Sequence, residues 1–536
     1  MTRTTPALAP TILAVALFVC GVAVQSAEAD LGGGQILLLR DAIATGIERN
    51  LNLRIDELDS SIRRQDIIEA DAAFDPAIET RLYTGEKQIL SGTVLYADDY
   101  QYTEETGARI SLRKRFKPGM QGSVSFQTER SENNALADSI NPAYRNFLIL
   151  NLTQPLLRNF GYDINTTQLR LSRNLLQSAV YDYLDKAQEI AARIEQAYFD
   201  LANAQAVLGY RTDSHNLAVR LVRDNRKLLD RGTISISEVQ QAETAAADRQ
   251  EDMIVARQNV QTMTNRLKDL LELQSYDPMG SISFTTAPLP STTVNYPGAE
   301  SALTLALKQR LDLQRLHLAL KSQDIRLEYY RNQQLPRLDL GATLGLNGLA
   351  GDDRPVTLFG RHQTSSLSGD YLDSYSSLAE DNGYQWAIDL KLTYPIGNRA
   401  GEARYAKNRI EKQQLIYQLK RLEGSIETSV NNAMVVVDNS LQRVEVAQRF
   451  ENLAEATLEQ EMARLKRGLS DTFRILDFQD DLIRAHIRKT NALTDFHQGL
   501  ASLYRVLGAN LDRYDIVSEI DRDLIDRNLP NAFPAK

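Results

Sequence analysis

The residues of this chain that could do chemistry do not form a catalytic or metal-binding pattern. Five histidines are present, and none stands at the short spacing that metal sites use: His215, His317, His362, His486 and His497. The acidic pairs Asp98-Asp99 and Glu104-Glu105 could bind a divalent cation, but a solvated loop is the favoured interpretation. Gly32-Gly33-Gly34 follows no strand, so we do not expect it to hold phosphate. The sequence therefore predicts no enzymatic activity, no catalytic residue, no cofactor and no metal.

Charge and cysteine content narrow the class of protein further. The net charge of −9 argues against a nucleic-acid partner, which usually requires a basic stripe. Arg3, the apolar run 11–24 and Ala27-Glu28-Ala29 have the three-part layout of a secretory signal, with cleavage expected after that last triplet. Cys20 is the only cysteine, so the mature chain would lack disulfides. Lipidation of Cys20 is the weaker alternative, because Val19 is bulkier than such a site prefers.

The elements that would position side chains in this protein are long helices. A helical run from about Leu156 to Leu229 dominates the chain, and its apolar residues step by four and three: Leu176, Val180, Tyr183, Ala187, Ile190, Ile194, Ala197, Leu201, Ala204 and Leu208. This 3.5-residue spacing predicts a coiled coil. The turn Asp230–Ser237 folds the chain back into a second helix with the same seam, in which Arg249 is the one charged member. A first helix of roughly 110 Å must pack against another hairpin.

The second hairpin comes from an internal duplication. Asp41-Ala42-Ile43 recurs as Ser301-Ala302-Leu303, and the turn Arg231-Gly232 recurs as Arg467-Gly468. The period is far longer than that of a solenoid repeat, and it carries helix, strand and hairpin signals in one order. It therefore indicates two copies of one fold. A Pro/Ser/Thr-rich link at about 274–297 joins them.

Between the helices of each copy the hydrophobic period changes to two. The alternation predicts strands at 77–84, 107–116, 120–128, 146–154, 337–347 and 384–394. A transmembrane β-barrel typically has strands with one apolar face, one polar face and aromatic residues at both ends. A soluble β-sandwich is the less favoured alternative. Six strands leave two open edges, so we expect several copies to assemble and remove them.

These signals divide the chain into consecutive segments. We predict a signal peptide at 1–29, first-copy helices at 30–76, first-copy strands and loops at 77–155, the first hairpin at 156–273, a linker at 274–298, second-copy helices at 299–336, second-copy strands and loop at 337–395, the second hairpin at 396–507 and a C-terminal tail at 508–536.

In this order of motifs the chain resembles the TolC-like outer-membrane efflux protein family. The resemblance rests on the signal, the repeated helix starts, the Arg-Gly turns and the Leu-Thr-x-Pro strand ends at 152–155 and 392–395. It also rests on the paired sequence segments 237–242 and 474–478. It covers about 36–510, and its single motifs are weak whereas their repeated order is specific.

The resemblance implies a fold class and a function. The fold would be mainly α, with long coiled-coil hairpins, two internal repeats and strands that complete a transmembrane barrel by trimerisation. The homotrimer would span outer-membrane lipid of a Gram-negative bacterium and extend a tunnel through the periplasm. It would serve as the exit duct of a tripartite efflux pump, bound to a periplasmic adaptor and an inner-membrane transporter. Type I protein secretion is the alternative, and a poreless periplasmic adaptor is less favoured.

The resemblance also assigns candidate residues at the hairpin tips. Glu238 and Asp477 fall on acidic positions of the family's periplasmic gate, although Glu238 could simply stabilise a helix start and Asp477 could lie on a solvated face. Leu465, Ser470 and Arg474 replace the family's tyrosine, arginine and aspartate. In the best-known member of the family, contacts between helices lock the gate closed. An ion pair between Arg474 and Glu238 could replace that lock here. The turn residues Arg231, Gly232, Arg467 and Gly468 would meet the adaptor.

The first strand region differs from the second in length. It runs from Pro76 to Pro155, whereas the second runs only from Pro336 to Pro395, so the first has enough additional chain for two more strands. We predict that this chain adds a hairpin to the four strands common in the family. Six strands per chain would give a trimeric barrel of about eighteen strands.

Overall fold

A computed structural model describes residues 36–93, 95–96, 98–273, 284–358, 361–380, 383–465, 467, 469–514 and 516. The predicted signal peptide, Cys20 and most of the C-terminal tail lie outside these residues. The described helices are α1 Leu39–Arg49, α2 Leu51–Ala72, α3 Tyr162–Asn165, α4 Thr167–Asp230, α5 Ile236–Leu270, α6 Ala299–Gln309, α7 Leu311–Asn332, α8 Asp373–Ala379, α9 Arg399–Leu465 and α10 Thr472–Leu507.

The described strands are of two kinds, long strands of one sheet and short paired strands. They are β1 Ile36–Leu37, β2 Ala77–Leu90, β3 Tyr100–Arg115, β4 Gln121–Asn133, β5 Ile140–Pro155, β6 Thr285–Thr286, β7 Arg337–Asp353, β8 Val356–Leu358, β9 Arg361–Gln363 and β10 Tyr384–Thr393. Strands β2, β3, β4, β5, β7 and β10 form one sheet, while β1 pairs with β6 and β8 with β9.

The internal repeat is confirmed by the order and lengths of the helices. α1 and α6 each have 11 residues, and α2 and α7 each have 22 residues. Each repeat also has its own apolar core. Ile194, Leu201 and Leu267 are fully buried in the first core, and Phe496 and Leu500 are fully buried in the second. The coiled-coil spacing therefore predicted the buried face of both hairpins.

The first hairpin begins later than the sequence predicted. α4 has 64 residues, a length of about 96 Å, and it starts at Thr167 rather than Leu156. The reason lies in backbone pairing beyond the end of β5. The amide of Leu156 donates to the carbonyl of Leu338 and that of Arg158 to the carbonyl of Pro336, so the chain stays extended there. Gly161, at φ 101°, then turns it into the short helix α3.

The six-stranded sheet confirms the predicted extra hairpin. Its order is β10-β7-β5-β4-β3-β2, with every neighbouring pair antiparallel. Four strands come from the first repeat and two from the second. β2 and β10 are the two edges of the sheet within one chain, and their outer backbone groups have no strand partner among the described residues.

The register of this sheet assigns residues to faces by parity. In all five strand pairs odd-numbered residues lie opposite odd-numbered residues, except where Ile140 of β5 lies opposite Asp353 beyond a register shift. The even-numbered face is apolar over much of its length and strongly exposed. Leu82, Leu344 and Ile388 are 77%, 56% and 70% exposed there. The odd-numbered face carries most of the charged and small polar side chains.

Several strands are longer than predicted, and part of a predicted loop is ordered. β3 begins at Tyr100 instead of 107, because polar residues that alternate on both faces give no hydrophobic signal. The loop expected at 348–383 contains α8, which packs on the even face. Asn146 donates to the hydroxyl of Ser374 at 2.7 Å, and the rings of Phe126 and Tyr375 stack at 5.9 Å.

None of the described helices is both long and apolar enough to serve as a membrane-spanning segment.

The buried aromatic residue of α10 provides a test of the second core. Phe496 is 0% exposed, so Phe496→Ala should lower the free energy of unfolding by about 3–5 kcal/mol through lost packing and a cavity. Thermal unfolding followed by circular dichroism would measure this. Phe473→Ala is the control, since Phe473 lies on the same helix and is 67% exposed. Equal midpoints for the two variants would contradict the assignment of this core.

Candidate functional site: the hairpin tips and the α5–α10 seam

The two hairpin turns are closed by backbone hydrogen bonds. Gly232 has φ +73°, and its amide donates to the carbonyl of Leu229 at 2.8 Å. A left-handed conformation at this place favours glycine, which explains the Arg-Gly turn. In the second turn the amide of Arg467 donates to the carbonyl of Arg464 at 3.0 Å, and Gly468 lies outside the described residues. Arg231 and Arg467 are both exposed, as a surface for a partner requires.

Glu238 connects the two hairpins close to their tips. The hydroxyl of Thr472 on α10 donates to a carboxylate oxygen of Glu238 at 3.5 Å. The Asn225 side chain on α4 donates to the hydroxyl of Thr472 and to the backbone carbonyl of Glu238, both at 3.4 Å. Asn225 and Thr472 are buried, whereas Glu238 is exposed over more of its surface. These long hydrogen bonds make a weak connection between the tips.

Arg474 occupies the position of α10 that corresponds to Glu238 of α5, but within one chain it has a different partner. Asp471 caps α10, because its carboxylate accepts a hydrogen bond from the amide of Arg474 at 2.9 Å. The guanidinium of Arg474 lies 4.0 Å from the same carboxylate. Among the described contacts of one chain, Arg474 therefore pairs with Asp471 rather than with Glu238, and a pair between copies stays a prediction.

Asp477 lies in a groove between α5 and α10, separate from Glu238. Asp248 and Asp480 line the same groove, together with Phe473 and Gln240. Two of these carboxylates, Asp477 and Asp480, contribute to the pKa of the nearby Arg484. The pKa of Arg484 is raised, first by its hydrogen bond to Asp481 and then by the charges of the acidic residues around it, Asp477 included. The structure thus brings Asp477 together with other acidic residues of the groove.

Arg249 is the residue of this region whose role the sequence did not predict. Its side chain is 4% exposed and crosses from α5 to α10. It donates to the Gln479 side chain at 2.8 Å, to the carbonyl of Leu476 at 3.3 Å and to the Asp480 carboxylate at 2.9 Å. A lone charge on an apolar seam was the available signal. Asn225 on α4 and Thr472 on α10, which join the hairpins near the tips, gave no such signal, because isolated polar residues are common on long helices.

A further ionic cluster joins α9 and α10 away from the tips. Glu451 is 9% exposed and accepts hydrogen bonds from His486 at 2.8 Å and from Lys489 at 2.6 Å. Burial by itself raises the pKa of the Glu451 carboxyl, but these two hydrogen bonds outweigh it and hold that pKa below its ordinary value. The Tyr210 ring of α4 stacks on His486 at 4.8 Å. Three helices therefore meet at a charged carboxylate.

In the described part of the chain no group of three or more potential metal ligands comes together. The arrangement at the tips consists of a turn, a capping carboxylate and charged side chains between helices. Such groups can hold helices together or let them separate.

Comparison with known proteins identifies the family that has this architecture. The family model described as "Outer membrane efflux protein" matches residues 101–272 and 302–509, which is more than half of the chain and both repeats. The chain belongs to the outer membrane efflux protein family. Membership places the protein in the outer membrane of a Gram-negative bacterium, with its helical hairpins in the periplasm. The resemblance that the repeated motifs indicated is confirmed.

Solved structures show the same fold at low identity. The Campylobacter jejuni CmeC outer membrane channel is 14% identical, with 92% of this chain and 90% of that chain covered and a TM-score of 0.59. The outer membrane protein VceC of Vibrio cholerae is 15% identical, with 88% and 96% covered and a TM-score of 0.58. The open state of the Neisseria gonorrhoeae MtrE outer membrane channel is 16% identical, with 88% and 89% covered and a TM-score of 0.53. No curated protein sequence gives a significant match.

The only tryptophan of this outer membrane efflux protein can test which face of the sheet meets lipid. Trp386 lies on the even face of β10 and is 66% exposed. In lipid bilayers its fluorescence should be strongly quenched by lipids brominated on their acyl chains. The matched control moves the tryptophan by one residue, as Ala387→Trp in a Trp386→Phe background, which places it on the odd face. Equal quenching of the two proteins would contradict an outward apolar face.

The Arg249 contacts can be tested by amide exchange. Arg249→Ala leaves the buried Gln479 without its donor, a loss of about 1–3 kcal/mol for an unsatisfied buried group. We expect faster hydrogen–deuterium exchange in peptides that cover 244–256 and 474–484. Arg257→Ala is the control, because Arg257 lies on the same helix and is exposed. If both variants exchange alike, Arg249 does not stabilise the seam.

Proposed function

We propose that three copies of this chain form one continuous duct, the exit channel of a tripartite efflux pump for small toxic compounds. The sheets would close into a barrel in the outer membrane, and the hairpins would form a tunnel through the periplasm. The observation that carries this proposal is the sheet itself, which exposes an apolar face and has two open edges within one chain. In hydrocarbon an unpaired backbone group costs several kcal/mol, so such a sheet must close.

The number of strands supports a barrel wider than the family's common twelve strands. Each chain contributes six strands, so three copies would give eighteen. The diameter of a barrel grows roughly in proportion to its strand number, and barrels of 16–18 strands leave an aqueous channel. The part of the duct that crosses the membrane would therefore be filled with water.

The hairpin tips support a role in docking and gating. Arg231 and Arg467 are exposed at the two turns, where a periplasmic adaptor would bind, and an inner-membrane transporter would complete the pump. Glu238, Arg474 and Asp477 lie near the starts of α5 and α10, next to those tips. The weak hydrogen bonds between the hairpins close to the turns are suited to a gate that opens when the helices move apart.

A deletion strain provides the test of the efflux function. We expect it to become more sensitive to several chemically unrelated toxic compounds, while the proteins that it secretes stay the same. Complementation with the full chain should restore resistance. Unchanged sensitivity together with the loss of a secreted protein would contradict efflux and favour type I protein secretion.

Single-channel recording provides the test of the gate. Glu238→Ala, Arg474→Ala and Asp477→Ala should each increase the current through the resting channel in planar bilayers, because they remove charges that hold the tips. Glu423→Ala is the control, since Glu423 is an exposed carboxylate of α9 far from both turns. A resting current that none of the three tip variants changes would rule out an ionic gate at these residues.

A further inference from the structure

The odd face of the sheet carries a group of arginines that the proposed function has not used. They lie on β2, β3 and β5 of the first repeat, and the strand registers place them on one face. One of them, Arg115, is the last residue of β3 and donates to the Asn165 side chain of α3 at 2.9 Å, so it belongs to the junction with the helices. The other four are Arg81, Arg109, Arg113 and Arg145.

Arg81 and Arg109 lie directly opposite each other on β2 and β3. Like charges in directly opposed positions of an antiparallel pair destabilise the sheet. Both side chains are exposed, so solvent or a ligand can reach them. The sequence therefore places two positive charges together at a cost in stability, on the face that would line the duct.

Two carboxylates of this face are engaged by the other two arginines. Glu79 pairs with Arg113 at 3.0 Å. Glu129 lies 3.9 Å from Arg145 and also accepts a hydrogen bond from the Tyr83 hydroxyl at 2.9 Å. These acids thus offset the charges of Arg113 and Arg145.

Arg81 and Arg109 have only neutral partners among the described residues. The Nε atom of Arg109 donates to the amide oxygen of Gln127 at 2.9 Å, and its terminal nitrogen donates to the same oxygen. The guanidinium of Arg81 lies 5.9 Å from the ring centre of Tyr83. Neither contact removes positive charge, so the pair keeps its attraction for an anion.

We propose that Arg81 and Arg109 form an anion-binding row inside the duct and favour the passage of compounds with carboxylate, phosphate or sulfonate groups. Guanidinium groups bind these planar or tetrahedral anions with two parallel hydrogen bonds. Three copies would place six such arginines around the lumen. The inference rests on the proposed function, because it takes the odd face to be the inner wall of a trimeric barrel.

A competing partner for Arg81 is a carboxylate of a neighbouring copy. Asp389 lies on the odd face of β10, the strand that would close the barrel against β2. If Asp389 neutralised Arg81 between copies, the row would be part of the assembly interface rather than a binding site. The test must separate these two cases.

The measurement is the reversal potential of the purified full-length channel in planar bilayers under a potassium chloride gradient. The double variant Arg81→Gln/Arg109→Gln should lower the ratio of chloride to potassium permeability several-fold. Arg81→Lys/Arg109→Lys keeps the charges and should keep most of that ratio. Lys114→Gln is the matched control, because this basic residue lies on the even face of the same strand β3 and should leave the ratio unchanged.

Transport measurements give a second readout. Cells that carry the double glutamine variant should export the anionic dye fluorescein more slowly than wild type, while export of the cationic dye ethidium should not slow. Asp389→Asn should leave the fraction of trimers unchanged, because in this proposal Arg81 binds transported anions and not Asp389 of a neighbouring copy.

The possible failures are distinguishable. A conducting channel whose permeability ratio is the same in wild type and in the double glutamine variant would overturn the anion row and leave the proposed function intact. Loss of trimers in Asp389→Asn, restored by Arg81→Gln, would assign Arg81 to the interface and also overturn it. If neither the wild-type protein nor the tip variants Glu238→Ala, Arg474→Ala and Asp477→Ala conduct, the duct itself is overturned, and this inference with it.

Discussion

The requirement that backbone amides be paired in hydrocarbon controls the rest of this structure. The sheet has an exposed apolar face and two edge strands, β2 and β10, that one chain cannot satisfy. The helices obey a related constraint, since a coiled-coil hairpin of about 96 Å exposes far more surface than one chain can cover. The proposed trimer would complete both elements, because copies arranged around an axis pair the sheet edges and cover the hairpins.

The contacts between the hairpins grow stronger with distance from the turns. At the tips, hydrogen bonds of 3.4–3.5 Å join Asn225, Thr472 and Glu238. About three turns further along α5, the buried Arg249 makes shorter bonds to α10. Further still, the Tyr210 ring of α4 stacks on His486 of α10, which donates a hydrogen bond to the buried Glu451 of α9. Local stability is not uniform in proteins, and this gradient makes the tips the least tightly joined part of the two hairpins.

Features that depend on the spacing of hydrophobic residues were predicted from the sequence. Features that depend on polar residues or on tertiary contacts were missed. The seam of α4, the repeat and the six strands follow from apolar residues that must be buried or face lipid. The outer half of β3 was missed because both of its faces are polar, and α8 was missed because its packing depends on tertiary contacts such as Asn146 with Ser374. At the candidate site the turns were predictable from glycine. The partner of Arg249 was not, because Gln479 lies on another helix, 230 positions further along the chain.

The shared parity of the six sheet strands restricts how this protein can change during evolution. Odd residues oppose odd residues from β2 through to β10, apart from the end of β5 at Ile140, so inserting or deleting one residue in the middle of a strand would turn its remaining side chains to the opposite face. In the proposed barrel, such a change would place arginines in lipid and leucines in water. A membrane wall of this design can therefore be enlarged only in units of a complete hairpin, which is the unit by which the first repeat exceeds the second.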